Sequence, residues 1–223
     1  MESNKLRQEI KFNTYSIYEN NILNWLALNN FHEIFKKRHV NNIYFDDPNL
    51  QCLMANLHGD SNRFKIRLRW YDNNLDKLFF EIKIKKNIFG YKKIYEISNL
   101  NIFHGISKNH LISLIEKKLP RDIGSRFGSF RFIQLVNNYD RRYYLSSDKK
   151  FRITIDKNIK TFDQKKSGAL NLMHKFYSQD KMVVEIKCQK LDHKQIINLF
   201  NDFPLRASKN SKYVDGQRLS LGF

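Results

Sequence analysis

The chain has 223 residues, 40 Lys plus Arg against 22 Asp plus Glu, and a net charge of +18. Three prolines and eight glycines supply no low-complexity linker, so a single domain spanning 1–223 with a sizeable core is expected. The charge predicts a polyanionic partner, while no apolar run approaches the ~20 residues of a membrane span and the N-terminus lacks a signal-peptide pattern. Cys52 and Cys188 lie far apart and read as reduced, buried thiols, which predicts a cytoplasmic chain.

In chain order, Lys5 to Thr14 is expected to form a strand, with Leu6, Ile10 and Phe12 apolar and Arg7, Glu9 and Lys11 alternate to them. Ser16 and Glu19 have capping-box spacing before a helix from Ile17 to Leu28 that carries Ile22, Leu23 and Leu26. Phe31 to His39 is ambiguous, and Val40 to Asp46 reads as a strand. Pro48 is placed to open a short helix through Leu57 that Gly59 closes. Strands at Arg63–Tyr71, Phe79–Lys85 and Lys92–Ile97, joined by short turns, predict a meander. A helix over Asn109–Leu119 follows, then strands in Phe130–Leu145, Arg152–Asp156 and Val183–Cys188, and a short amphipathic helix over Lys194–Phe200. The tail holds Ser208-Lys209-Asn210-Ser211-Lys212-Tyr213.

The charged faces of these strands carry the argument. Along Arg63–Tyr71 the odd positions Arg63, Lys65, Arg67 and Arg69 oppose Phe64, Ile66, Leu68 and Trp70, so one face is cationic and the other apolar. Two later strands place a Glu in the charged face: Glu81 with Lys83 and Lys85, and Glu185 with Lys187. Glu9-Ile10-Lys11 is a third Glu-x-Lys, and Arg152, Thr154 and Asp156 share a face on a fifth strand. Like charges opposed across strands are destabilising, so a sheet that gathers them needs a reason. A sheet curled with its apolar faces outward would enclose a cationic pore with a few carboxylates, which an anionic guest would neutralise.

Other chemistries find no support in the pattern. There is no phosphate-binding Gly-rich loop, no His-Glu-x-x-His or comparable ligand spacing among seven histidines, and no RNA-binding frame of aromatics beside Gly. Phosphoryl transfer by electrostatics survives, since it asks for fixed cations, an in-line approach and hard divalent ions held by a Glu or two.

The ordered stretches Glu9-Ile10-Lys11-Phe12, Val40 to Asp46, Arg67-Leu68-Arg69-Trp70-Tyr71, Glu81-Ile82-Lys83, Tyr139-Asp140-Arg141-Arg142-Tyr143, Arg152 to Asp156, Glu185-Ile186-Lys187 and Ser208 to Tyr213 closely resemble the polyphosphate polymerase (VTC) domain. That family belongs to the triphosphate tunnel metalloenzymes, a CYTH-like group, and the likeness runs from about Arg7 to Gly216. The resemblance implies an α+β fold, an antiparallel eight-stranded β-barrel tunnel with flanking helices. In it ATP gives its terminal phosphoryl group to inorganic polyphosphate with Mn²⁺ or Mg²⁺. It implies catalytic roles for Arg67, Arg69, Lys83 and Arg152, and phosphate or nucleotide binding by Lys11, Lys92, Lys93, Arg141, Lys187, Lys209 and Lys212. Glu185, with Glu9 and Glu81, would hold the metal. Tyr139, Arg141 and Tyr143 share a face, which favours Arg141 over Arg142 as the inward cation.

The wider tunnel group starts Glu-x-Glu-x-Lys, whereas this chain has Arg7-Gln8-Glu9-Ile10-Lys11, which disfavours adenylate cyclase and thiamine triphosphatase readings. The implied partners are ATP and polyphosphate, with a membrane-protein partner as a tether; nucleic acid is disfavoured. An inorganic triphosphatase and a non-catalytic polyanion binder are the alternatives, the binder leaving the strand carboxylates unexplained. Crowding of like charge predicts that removing Arg67 or Arg152 abolishes turnover and leaves the fold intact or steadier.

Overall fold

The computed structural model describes residues 7–87, 89–177, 180–189 and 200–222. The expected helix over Lys194–Phe200 and the start of the first strand at Lys5 lie, wholly or in large part, outside the described residues.

The fold is α+β, a mostly antiparallel sheet with several helices. Its strands are β1 (Arg7–Tyr15), β2 (Phe31–Asp46), β3 (Asn62–Tyr71), β4 (Leu78–Lys86), β5 (Phe89–Ile97), β6 (Phe132–Ser146), β7 (Phe151–Asp163), β8 (Lys175–Tyr177) and β9 (Lys181–Gln189). Eight of them follow one hydrogen-bonded path, β1-β9-β7-β6-β2-β3-β4-β5, and the short β8 pairs with β7 as a ninth. The path is open, beginning at β1 and ending at β5. The helices are α1 (Glu19–Leu28), α2 (Gln51–His58), α3 (Lys108–Lys118), α4 (Arg121–Phe127) and α5 (Lys212–Leu221). Among the described residues no helix is long and apolar enough to cross a membrane.

The chain forms two compact units. One takes Met1–Arg38, Tyr139–Ile159 and Ser178–Asn210; the other takes His39–Asn138, Lys160–Tyr177 and Ser211–Phe223. In the first, the apolar residues of β1, β7 and β9 (Phe12, Ile153, Ile155, Val184 and Ile186) bury against Ile22, Trp25 and Leu26 of α1. Trp25 is clasped by Phe31, Phe200 and Phe203 at ring distances of 5.7, 5.5 and 4.8 Å. In the second, Ile66, Leu68, Trp70 and Phe80 pack on Leu111, Ile112 and Ile115 of α3 and on Phe127 of α4. The apolar side of each amphipathic strand therefore sits under helices, as the period-two alternation requires.

Two local expectations are corrected. Ser16 does not cap α1: it opens a 3₁₀ turn over Ser16–Tyr18, its N–H donated to the Asp180 carbonyl at 3.2 Å, and α1 starts at Glu19 without a side-chain cap. The chain leaving β1 stays tied to the start of β9, so the helix cannot begin sooner. Second, α2 begins at Gln51, not at Pro48. The buried Asp46 carboxylate accepts from the Cys52 and Leu53 N–H groups at 2.9 and 3.0 Å, and Asp47 accepts from Gln51 at 2.7 Å. Carboxylates at a helix N-terminus satisfy its orphan donors and favour its dipole. Gly59, at φ 79°, closes α2 as expected. In the tail, Lys212 and Tyr213 begin α5, capped by the Ser211 hydroxyl. Gly216 allows a close approach there, since a Cβ would stand 2.4 Å from Leu135 Cδ2 and displace that side chain.

Candidate phosphate-binding faces

In the second unit the register of β3, β4 and β5 assembles a charged face. Arg67 lies opposite Glu81, and Lys65, Lys83 and Lys92 stand directly opposite one another across the three strands. Glu81 is buried, and its two oxygens are taken by cations: Arg67 Nε donates to Oε2 at 2.7 Å and Lys92 Nζ to Oε1 at 3.1 Å. Burial alone would raise the Glu81 carboxyl, but the charges of Arg67, Arg69 and Lys92 outweigh it and press the group down to about 2. Burial lowers the Lys92 ammonium, only partly opposed by Glu81. Glu81, expected among the metal ligands, here serves as counter-ion to two cations. Alternation puts Lys93 opposite Ile82, on the reverse face from Lys92.

Arg69 is buried and donates through Nε to Asn42 Oδ1 at 2.8 Å, and Asn42 Nδ2 donates to Asn137 Oδ1 at 2.9 Å. Lys65 Nζ donates to the Ser211 hydroxyl at 2.6 Å, at the start of α5 and next to Lys212. Thus Arg67, Arg69, Lys83 and Lys92 come together on β3–β5, and Lys65 ties this face to the tail.

In the first unit, β9 runs between β1 and β7. Glu185 stands between Lys11 and Thr154, and Lys187 between Glu9 and Arg152. Lys187 pairs with Glu185, and Lys11 with Glu9 at 3.0 Å. Burial would raise the Glu185 carboxyl, but Lys187, Lys11 and Arg141 hold it well below the usual carboxylate range. Arg141 grips Asp156 with two hydrogen bonds of 2.6 and 2.7 Å, and both side chains are buried. Burial would lower Arg141, yet Asp156 raises it well above its ordinary value. Arg142 turns away, to the exposed Glu33. Arg152 and the Lys209 side chain are exposed. The tail is stitched to β1: Lys11 Nζ donates to the Asn210 carbonyl at 3.2 Å and Asn13 Nδ2 to the Lys209 carbonyl at 3.0 Å.

Thr154 Oγ1 and Asn137 Nδ2 are among the polar side-chain atoms buried without a hydrogen-bond partner among the described residues. Thr154 borders Glu185, and Asn137 belongs to the Arg69 network. Sequence reasoning had Asp156 and Thr154 on the charged face but missed Asp156 as the partner of Arg141. It also missed the Asn42–Asn137 hydrogen bond, which joins two strands far apart in sequence.

Among the described residues no three His, Cys, Asp or Glu side chains gather as a metal cluster. Mg²⁺ and similar hard ions, however, are held by one or two carboxylates plus substrate phosphates and water. Glu185 and Glu9, on adjacent strands and each paired with a lysine, fit that mode.

The fold matches that of a candidate adenylate cyclase from Vibrio parahaemolyticus, with a TM-score of 0.54 at 13% identity over 94% of this chain and 96% of that one. That likeness is one of fold, a mostly antiparallel sheet with helices. A chain of the Schizosaccharomyces pombe Mediator head module aligns with a TM-score of 0.48 at 8% identity, covering 90% of this chain and 96% of that one. No curated protein matches the sequence. The model of the VTC domain matches residues 4–221, and the chain belongs to that family.

Proposed function

We propose that the chain acts throughout as one VTC-type domain, an ATP-dependent polyphosphate polymerase that moves the terminal phosphoryl group of ATP onto a growing inorganic polyphosphate chain. The observation that carries this reading is the row Lys65–Lys83–Lys92, three lysines at directly opposed positions across β3, β4 and β5. Like charges so placed are unfavourable to the sheet, even with Glu81 partnering Lys92 and the Ser211 hydroxyl partnering Lys65. A phosphate chain, with regularly spaced negative oxygens, turns the repulsion into binding energy.

Arg67, Arg69 and Lys83 in the second unit, and Arg152 in the first, are each read as catalytic charges for phosphoryl oxygens, which share the negative charge in the transition state. Arg67 is aimed by Glu81 and Arg69 by Asn42, so two of the four are positioned before substrate arrives. Lys11, Lys92, Lys187, Lys209 and Lys212 are read as movable point charges along the polymer, and Arg141 as a fixed one held by Asp156. Lys93, on the reverse face, drops out of this set. Glu185 with Glu9 would hold Mn²⁺ or Mg²⁺, which when bound neutralises phosphate oxygens. We read the protein as cytoplasmic, tethered through a membrane-protein partner.

Purified chain incubated with ATP and Mn²⁺ is expected to release ADP and to build a polymer that a polyphosphatase degrades. Orthophosphate from tripolyphosphate without nucleotide, and no polymer from ATP, would identify a triphosphatase instead.

A further inference from the structure

On the charged face of the first unit, β6 carries Tyr139, Arg141 and Tyr143 at alternate positions. The Arg141 guanidinium lies 5.2 Å from the Tyr139 ring centre and 6.0 Å from that of Tyr143. Tyr143 in turn meets Phe35 of β2 edge-on, with ring centres 5.7 Å apart and planes at 87°. Arg38 completes the group, its guanidinium 5.1 Å from the Phe35 ring centre and 6.0 Å from that of Tyr143. Phe35 is 49% exposed although it packs edge-on against Tyr143, which neighbours Arg141.

A single exposed Phe needs no explanation. This one is different in its neighbours: two aromatic rings and a flat guanidinium lie one side chain away from an anchored phosphate-type cation. Rings and guanidinium planes are the surfaces on which nucleobases stack, irrespective of their hydrogen-bonding edges. Fixed positive charge beside such a surface matches a ligand with an aromatic head and an anionic tail.

We propose that the exposed ring of Phe35, flanked by Tyr143 edge-on and by the Arg38 guanidinium, is the surface on which the adenine ring of ATP stacks. The inference rests on the reading of the chain as an ATP-using enzyme and adds to it a base-binding subsite. Tyr143 is the hinge of the arrangement, since it contacts the platform on one side and Arg141 on the other. The polymer product lacks a base, so the platform favours the donor nucleotide over the polymer that shares its phosphate chemistry. Because stacking is tolerant of base edges, GTP is expected to bind nearly as well as ATP.

The test compares ATP with tripolyphosphate, the same phosphate chain without base or ribose, by calorimetric titration of wild type, Phe35→Ala and Phe35→Trp, with melting curves of each. Phe35→Ala is expected to weaken ATP about tenfold, the effect of losing one stacking partner. Tripolyphosphate affinity should be unchanged in that variant, and Phe35→Trp should retain ATP binding. Unchanged ATP affinity in Phe35→Ala overturns the proposal, and so does an equal loss for both ligands, which would mark Phe35 as a packing residue. If wild-type protein binds tripolyphosphate and ATP alike, the platform is wrong and the phosphate reading stands. If it binds neither, both fall together.

Discussion

Arg152→Ala is expected to cut polymer formation on the order of a hundredfold, the effect of losing one preorganised charge at a transition state, while the melting temperature stays where it was. Arg67→Ala should lose activity to a similar extent and also lose about 2 kcal/mol of stability. The difference follows from what each arginine touches. Arg152 is exposed at the end of β7, opposite Lys187, and removing it relieves like-charge crowding. Arg67 makes two contacts to Glu81 Oε2, at 2.7 Å through Nε and 2.5 Å through Nη2, and Glu81 has only 4% of its side chain exposed. Without Arg67 that buried carboxylate keeps Lys92 but loses its closest cation. This corrects the simple expectation from crowding, under which both substitutions would spare the fold. Urea melts beside the polymer assay separate the two cases; equal stability of both variants would deny Glu81 its dependence on Arg67.

Asp156→Ala should be the most damaging single change on the charged faces, costing about 3–5 kcal/mol. Asp156 is fully buried and takes both hydrogen bonds from an Arg141 side chain that is itself only 10% exposed. Truncation leaves a buried guanidinium without its hydrogen-bonded partner, with Glu185 as its remaining neighbouring carboxylate. The double replacement Arg141→Met with Asp156→Leu removes both charges and is expected to recover most of that stability. It should not recover activity if Arg141 holds phosphate. Denaturant unfolding of the single and double variants measures the first point and the polymer assay the second. A double variant as unstable as the single one would show that packing, not charge, accounts for the loss.

How much of this could be read from residues alone depends on the range of the interaction. Period-two alternation is local, so the cationic side of Arg63–Tyr71 and the mixed side of Val183–Cys188 were legible, and each strand buries the predicted side. Tyr139, Arg141 and Tyr143 sharing a face follows from the same rule, and the structure duly turns Arg142 outward to Glu33. Partnerships across strands were not legible, because register is set by distant pairing. Thus Glu81 could be assigned to a charged face, but that its neighbours would be Arg67 and Lys92 depended on β3 and β5 both flanking β4. The first half of β2 was obscured by its polar composition, His32, Glu33, Lys36, Lys37 and Arg38 masking the strand period. The tail hid a helix, because Lys209 and Lys212 read as a charged motif and the cap at Ser211 went unnoticed. Capping by Asp46 and Asp47 was missed in a similar way, since Pro48 drew the helix start toward itself.

The shared physical premise is that these strands tolerate internal repulsion because phosphate relieves it. Thermal melts of the purified chain with and without tripolyphosphate, against sodium sulfate at the same ionic strength, address that premise directly. The account predicts that tripolyphosphate at a hundred times its dissociation constant adds about 2.7 kcal/mol of stability, with a clear rise in melting temperature that sulfate does not reproduce. A melting temperature that tripolyphosphate leaves unmoved, or that sulfate raises equally, would contradict it.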